Sequence, residues 1–267
     1  MTIGIGVVCT HKTTQDCFIL ASDKLGSFGD EFSSKRHAKL FVQPVEGLFA
    51  SCAGSVEAVS EFLPMVIDQW KTPGQRSFAY LGAGIQQAFY EYKKYKFVSS
   101  VLPRYAIGVK EDWQEVAKKL QIEEKLFKEW NDFDVGFEVL IATFDWRGTA
   151  QLFSVYGDGE INQHSLPGFV AIGTGGPNAM FWLGYREQSV GMSLPRSAYH
   201  VFEAKLMAEQ SPHVGKDDIE MLIVMPTMWY LLNEKNQSFD GCPVSLVELK
   251  ELIKKFGPST TDSLGGL

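Results

Sequence analysis

Apolar residues recur along this chain in two rhythms. Near the N-terminus, residues 3–9 and 18–22 read as short strands, parted by the polar turn His11-Lys12-Thr13-Thr14-Gln15-Asp16. A second pair, 40–43 and 48–52, surrounds Val45-Glu46-Gly47. Alternation within these runs is imperfect, as expected for strands covered on both faces. The rhythm then changes. Val56, Val59, Leu63, Val66, Ile67 and Trp70 share one helical face, and Pro73-Gly74 ends that helix. Phe78, Leu81, Ile85, Phe89 and Tyr92 predict a second helix, with Lys93-Lys94-Tyr95-Lys96 as its solvated end. Strands return at 138–144, 149–155 and 169–172, with turns at Trp146-Arg147-Gly148 and Gly157-Asp158-Gly159. Ser193 and Pro195 open another helix carrying Ala198, Val201, Phe202 and Leu206. A strand at 221–225 follows. Leu246, Leu249, Leu252, Ile253 and Phe256 then make a last helix, and the tail 258–267 is expected to fray.

Helix pairs lying between runs of strands predict a mixed α+β fold, with residues 1–257 forming one domain. Residues 110–130 stand out as a charged helical insertion with Trp113, Val116, Leu120, Phe127 and Trp130 on one face. Two readings apply to it: a lid that covers core surface, or a surface for subunit contacts or gating.

Composition narrows the classes. The chain has 267 residues, 45% of them hydrophobic, which is enough for a core without staples. A net charge of −7 argues against nucleic acid. No apolar run reaches membrane-spanning length and no basic-then-apolar leader opens the chain, so a cytoplasmic location is expected. The four cysteines, Cys9, Cys17, Cys52 and Cys242, have no metal spacing and read as free thiols, with Cys9 and Cys17 facing each other across a hairpin. The five histidines are likewise scattered, and Gly4-x-Gly6 precedes no helix. No cofactor is indicated.

Candidate chemistry begins at Met1-Thr2. Loss of an initiator methionine exposes a threonine whose hydroxyl can attack while its own amine serves as base. An α-amine, with a pKa of about 7.7–8.0, suits that role near neutral pH.

The run Thr2-Ile3-Gly4-Ile5-Gly6, then Leu20-Ala21-Ser22-Asp23-Lys24, Gly29, Ser33-Ser34-Lys35 and Lys39-Leu40-Phe41 resembles the opening of proteasome β-type subunits. Ala53-Gly54-Ser55 is similar to that family's small-residue turn, and Ala171-Ile172-Gly173-Thr174-Gly175-Gly176-Pro177 to its later glycine turn. The resemblance implies a bacterial-type N-terminal-nucleophile (Ntn) hydrolase with a four-layer αββα sandwich fold, acting on peptide or protein substrates. It implies Thr2 as nucleophile, Lys39 as electrostatic partner, Asp23 as the group that holds Lys39, Gly54 as oxyanion donor and Thr174 in place of a supporting serine. Thr174 reads equally as a helix N-cap. Gly26, Ser27, His37, Cys52 and Val56 fall at substrate-pocket positions, which implies preference for a small or medium apolar side chain before the cut. The resemblance further implies a homo-oligomeric ring and admits an ATPase unfoldase as partner. Two positions depart from it. Ser211 and Val214, just before Gly215, replace an aspartate and a serine that orient the amine. Asp217 or Asp218 is a candidate substitute for these groups, but both read more simply as solvated loop acids. The alternative is therefore a catalytically inactive proteasome-like subunit with a structural or binding role.

Overall fold

The computed structural model describes residues 3–11, 15–23, 39–43, 47–71, 78–108, 112–164, 166–210, 219–233, 235–238 and 242–256. Strands β1 (Ile3–His11) and β2 (Gln15–Ser22) form the first hairpin, and β3 (Leu40–Gln43) and β4 (Leu48–Gly54) the second. Helices α1 (Val56–Trp70) and α2 (Phe78–Ser100) follow, then α3 (Trp113–Leu120) and α4 (Glu123–Asp132). Strands β5 (Phe137–Phe144), β6 (Ala150–Val155), β7 (Ile161–Gln163) and β8 (Phe169–Gly173) lead into helices α5 (Gly176–Tyr185) and α6 (Leu194–Ala208). Strands β9 (Glu220–Met225) and β10 (Met228–Leu232) and helix α7 (Leu246–Phe256) complete the order.

The strands make two antiparallel five-stranded sheets, ordered β10-β9-β2-β1-β8 and β3-β4-β5-β6-β7. The α+β class expected from the pattern is thus present. Val8, Phe18 and Leu20 of one sheet meet Phe49, Leu140 and Leu152 of the other in a shared apolar layer. The outward side chains of the first sheet, among them Ile5, Val7 and Ile19, pack with Leu183, Ala198, Phe202 and Leu249 of α5, α6 and α7. Those of the second, including Val139 and Ile141, pack with Phe62, Phe89 and Tyr92 of α1 and α2.

This placement explains the N-terminal run. Ile3, Ile5 and Val7 face the helices, whereas Gly4 and Gly6 face the other sheet. A β-carbon on Gly4 would lie 2.9 Å from Ser51 Oγ, and one on Gly6 2.9 Å from a Leu152 methyl. Glycine there lets two sheets approach closely. Cys9 and Cys17 are register partners, both free and buried, with their sulfurs 3.2 Å apart.

Three expectations are corrected. The apolar stripe expected on one face of the helical 110–130 insertion is split between two helices. Gln121 takes a left-handed conformation (φ 57°) that ends α3, and α4 starts afresh. The pair makes a small core of its own with the end of α2, built on Phe97, Val101, Leu102, Ala117 and Leu126, while Leu120 and Phe127 are exposed. Lys93 is not a solvated helix end; it is buried within α2 and donates to Asp158 O at 3.0 Å. Ser193 is the N-cap of α6, but its side chain makes no capping bond.

Helix α6 is buried nearly all round, so its polar side chains must find partners inside. Arg186 donates two hydrogen bonds to Glu203, at 2.6 and 2.5 Å. Gln188 binds Ser197 Oγ at 2.9 Å and His200 Nδ1 at 3.0 Å, leaving His200 Nε2 buried with no hydrogen-bond partner among the described residues. Burial, reinforced by the charges of Arg196 and Arg186, pushes the His200 pKa from 6.5 down to about 4. The unfolded chain therefore binds a proton that the folded one refuses, and stability falls as pH drops from 6.5 to 4. A shift of this size corresponds to about 3 kcal/mol. His164, lowered by burial, acts in the same direction. Urea unfolding across this window is expected to show a falling midpoint in the wild type and a shallower fall in His200→Gln.

Candidate active site

The ends of β2, β4 and β8 converge with the start of β1. Ile3 is the register partner of Gly173, and Gly4 of Ser22. Asp23 follows β2 directly and is fully buried. Its Oδ1 accepts from the backbone N–H of Ile3 at 3.1 Å and from Lys39 Nζ at 2.8 Å. One carboxylate oxygen thus joins the first described residue of β1 to a lysine that is 1% exposed. Lys39 precedes β3, and its carbonyl accepts from the N–H of Cys52 at 3.0 Å.

Burial is costly for an ammonium and pushes the Lys39 pKa below its ordinary value; Asp23, more than any other group, pulls it back up. Glu220, buried at the start of β9 and paired in register with Ser22, adds to that restoring field. Cys52 lies wholly buried in the core beneath α1, where burial pushes its thiol up to about 12 against the opposing charge of Lys39. Val56 is half-buried against the same core.

Gly54 ends β4 with φ +88°, and a β-carbon there would meet Gly136 O at 2.6 Å. Only glycine fits that contact. The next residue, Ser55, donates its N–H to Gly136 O at 3.0 Å and caps α1 by accepting from Ala58 N at 3.1 Å. Thr174 is exposed just beyond β8. It is not the N-cap of α5, a position held by Gly175, so that expectation is corrected.

Asp23 and Lys39 are thus in direct contact, and Gly54 and Thr174 lie at the strand ends of the same region. Met1, Thr2, Gly26, Ser27, His37, Ser211, Val214, Gly215, Asp217, Asp218 and the tail 258–267 lie outside the described residues. Two carboxylates here were missed by sequence reasoning. Glu220 opens a strand and gave no signal. Glu138, on β5 opposite Ala53, crosses between the sheets to accept the Gly173 N–H at 2.7 Å. An acid at a strand start reads as solvated, and only pairing of the sheets reveals its partner. A cavity of about 700 Å³ lies between the start of α6 and α7, lined by Pro195, Val244, Glu248 and Leu252, and among the described residues none of the expected site residues lines it.

Among the described residues no three His, Cys, Asp or Glu side chains form a metal-binding cluster, and no helix is long and apolar enough to cross a membrane. No protein-family model matches the chain, and no curated protein matches it.

Removing one member of a buried ion pair leaves the other charge uncompensated, at a cost of about 3–5 kcal/mol. Asp23→Ala is therefore expected to lower the urea midpoint severely, while Lys71→Ala, which breaks the exposed pair with Asp68, leaves it unchanged. Equal effects of the two substitutions would contradict a buried, paired Asp23.

Proposed function

We propose that the chain is a threonine-type peptidase or amidohydrolase of the proteasome-like Ntn class, its helices and sheets stacked as an αββα sandwich. The observation that carries this reading is the shared Asp23 oxygen. It holds Lys39 and, through the Ile3 N–H, the backbone bonded directly to Thr2. A nucleophile attached to Ile3 begins within a few bonds of the ammonium.

With Met1 removed, the Thr2 amine takes the hydroxyl proton, directly or through water, as Oγ attacks the amide carbon. Lys39 favours the developing oxyanion character of Oγ and disfavours protonation of the amine, leaving the amine free to act as base. The Gly54 N–H stabilises the carbonyl oxygen as it gains charge, an effect of about 3–4 kcal/mol for a well-placed donor. The C–N bond then breaks, the leaving amine departs with the proton, and water hydrolyses the Thr2 ester to regenerate the site. Thr174, next to the end of β8, supplies the supporting hydroxyl. In this reading the protein works in the cytoplasm on peptides or proteins, as a homo-oligomeric ring, with an ATPase unfoldase as a compatible partner.

A second reading, a catalytically silent subunit, is favoured by one observation: Ser211 and Val214 stand where the related pattern carries amine-orienting groups. Intact-mass measurement separates the two. The hydrolase reading expects a mass lacking one methionine, labelling by a threonine-directed epoxyketone, and loss of peptide cleavage by at least a hundredfold in Thr2→Ala. A fully processed chain that resists labelling would establish the silent subunit instead.

A further inference from the structure

Glu138 is the group in this region that the proposed chemistry leaves unused. It is the second residue of β5, after Phe137, and lies opposite Ala53, one residue before Gly54. Its alternation with Leu140 and Ala142, both in the layer between the sheets, aims it across that layer. There Oε2 accepts the Gly173 N–H at 2.7 Å. Gly173 is in turn the register partner of Ile3 and the neighbour of Thr174. Glu138 therefore bridges the two turns that flank the start of β1.

The side chain is half-buried, and among the described residues Oε1 makes no hydrogen bond and no cation pairs with it. Gly173, which donates to it, Gly136, two residues before it, and Gly54, next to its register partner Ala53, all have positive φ and bring no side chain, and a β-carbon on Gly136 would meet nothing within 4 Å. A carboxylate fixed by one oxygen, with the other unpaired among the described residues, can receive an ammonium or guanidinium group.

Resting on the hydrolase reading above, we infer that Glu138 is a specificity-determining residue that selects substrates carrying a cationic group next to the scissile amide, such as a flanking lysine, arginine or free amine. The apolar pocket expected for the residue before the cut is a separate subsite. Glu138 contacts the flanking cation and takes no part in the bond-breaking steps.

The test uses matched peptides that differ only by lysine or norleucine at each position flanking the cut. Cleavage of each is compared between the processed wild type and Glu138→Gln, which keeps an acceptor for the Gly173 N–H. The wild type is expected to favour the lysine peptide in kcat/KM by about tenfold, the effect of one hydrogen bond to a charged group. Glu138→Gln is expected to abolish the preference while retaining cleavage of the norleucine peptide. Cleavage with equal lysine-to-norleucine ratios in both proteins would overturn the role of Glu138 and leave the hydrolase standing. If the wild type cleaves neither peptide, calorimetric binding decides. Preferential lysine-peptide binding that Glu138→Gln loses would support Glu138 as the cation-binding group while counting against the hydrolase, whereas equal binding would overturn both. Should Glu138→Gln fail to fold, the wild type alone decides: a lysine preference that weakens with added salt supports the role, and equal handling of both peptides overturns it.

Discussion

A buried lysine–aspartate pair is the constraint around which this end of the molecule is arranged. Lys39 and Asp23 are almost completely withdrawn from water, where neither charge is tolerable alone. A buried pair of this kind contributes little net stability against an apolar alternative. Its presence is more informative about what the site must hold than about how the fold is held. The same Asp23 oxygen fixes the first described residue of β1, so the start of that strand and the ammonium are located by one group. The close approach of the sheets at Gly4 and Gly6 helps keep water from that group, and Glu220 nearby adds negative charge that favours the ammonium.

Much of the fold was legible because its strands and helices are long and well punctuated. The runs at 3–9, 48–52 and 221–225 emerged as strands within one or two residues at most ends, and the face Val59, Leu63, Val66 and Trp70 of α1 is buried as its spacing predicts. The apparent irregularity of the first strand dissolves once two sheets are stacked. Ile3, Ile5 and Val7 point to the helices and Gly4, Gly6 and Val8 to the facing sheet, a strict period of two that hydropathy alone scores poorly. β10 and β7 were not anticipated. Met228, Trp229 and Tyr230 lack polar alternation, and β7 spans three residues only.

The site was legible in part for a different reason. Asp23 and Lys39 are sixteen residues apart and on different sheets' strand ends, and only their spacing relative to a related pattern joined them. Glu138 and Glu220 could not be found that way. Each is an acid within the first two residues of a strand, and its surroundings are created by partners far along the chain, Gly173 in one case and Ser22 in the other. The same holds for Arg186, Glu203 and His200, whose burial depends on α5 and α7 flanking α6. Leu120 and Phe127 show the converse: a tidy apolar stripe was drawn across a segment that Gln121 breaks in two.

The central claim is that the amine of Thr2 lies beside the Lys39 ammonium. The pH dependence of acylation of that amine, followed by mass spectrometry on the processed chain, measures its pKa in place. The account predicts a value below the ordinary 7.7–8.0 of an α-amine, returning to that range in Lys39→Met. An ordinary value that is unmoved by Lys39→Met would contradict it.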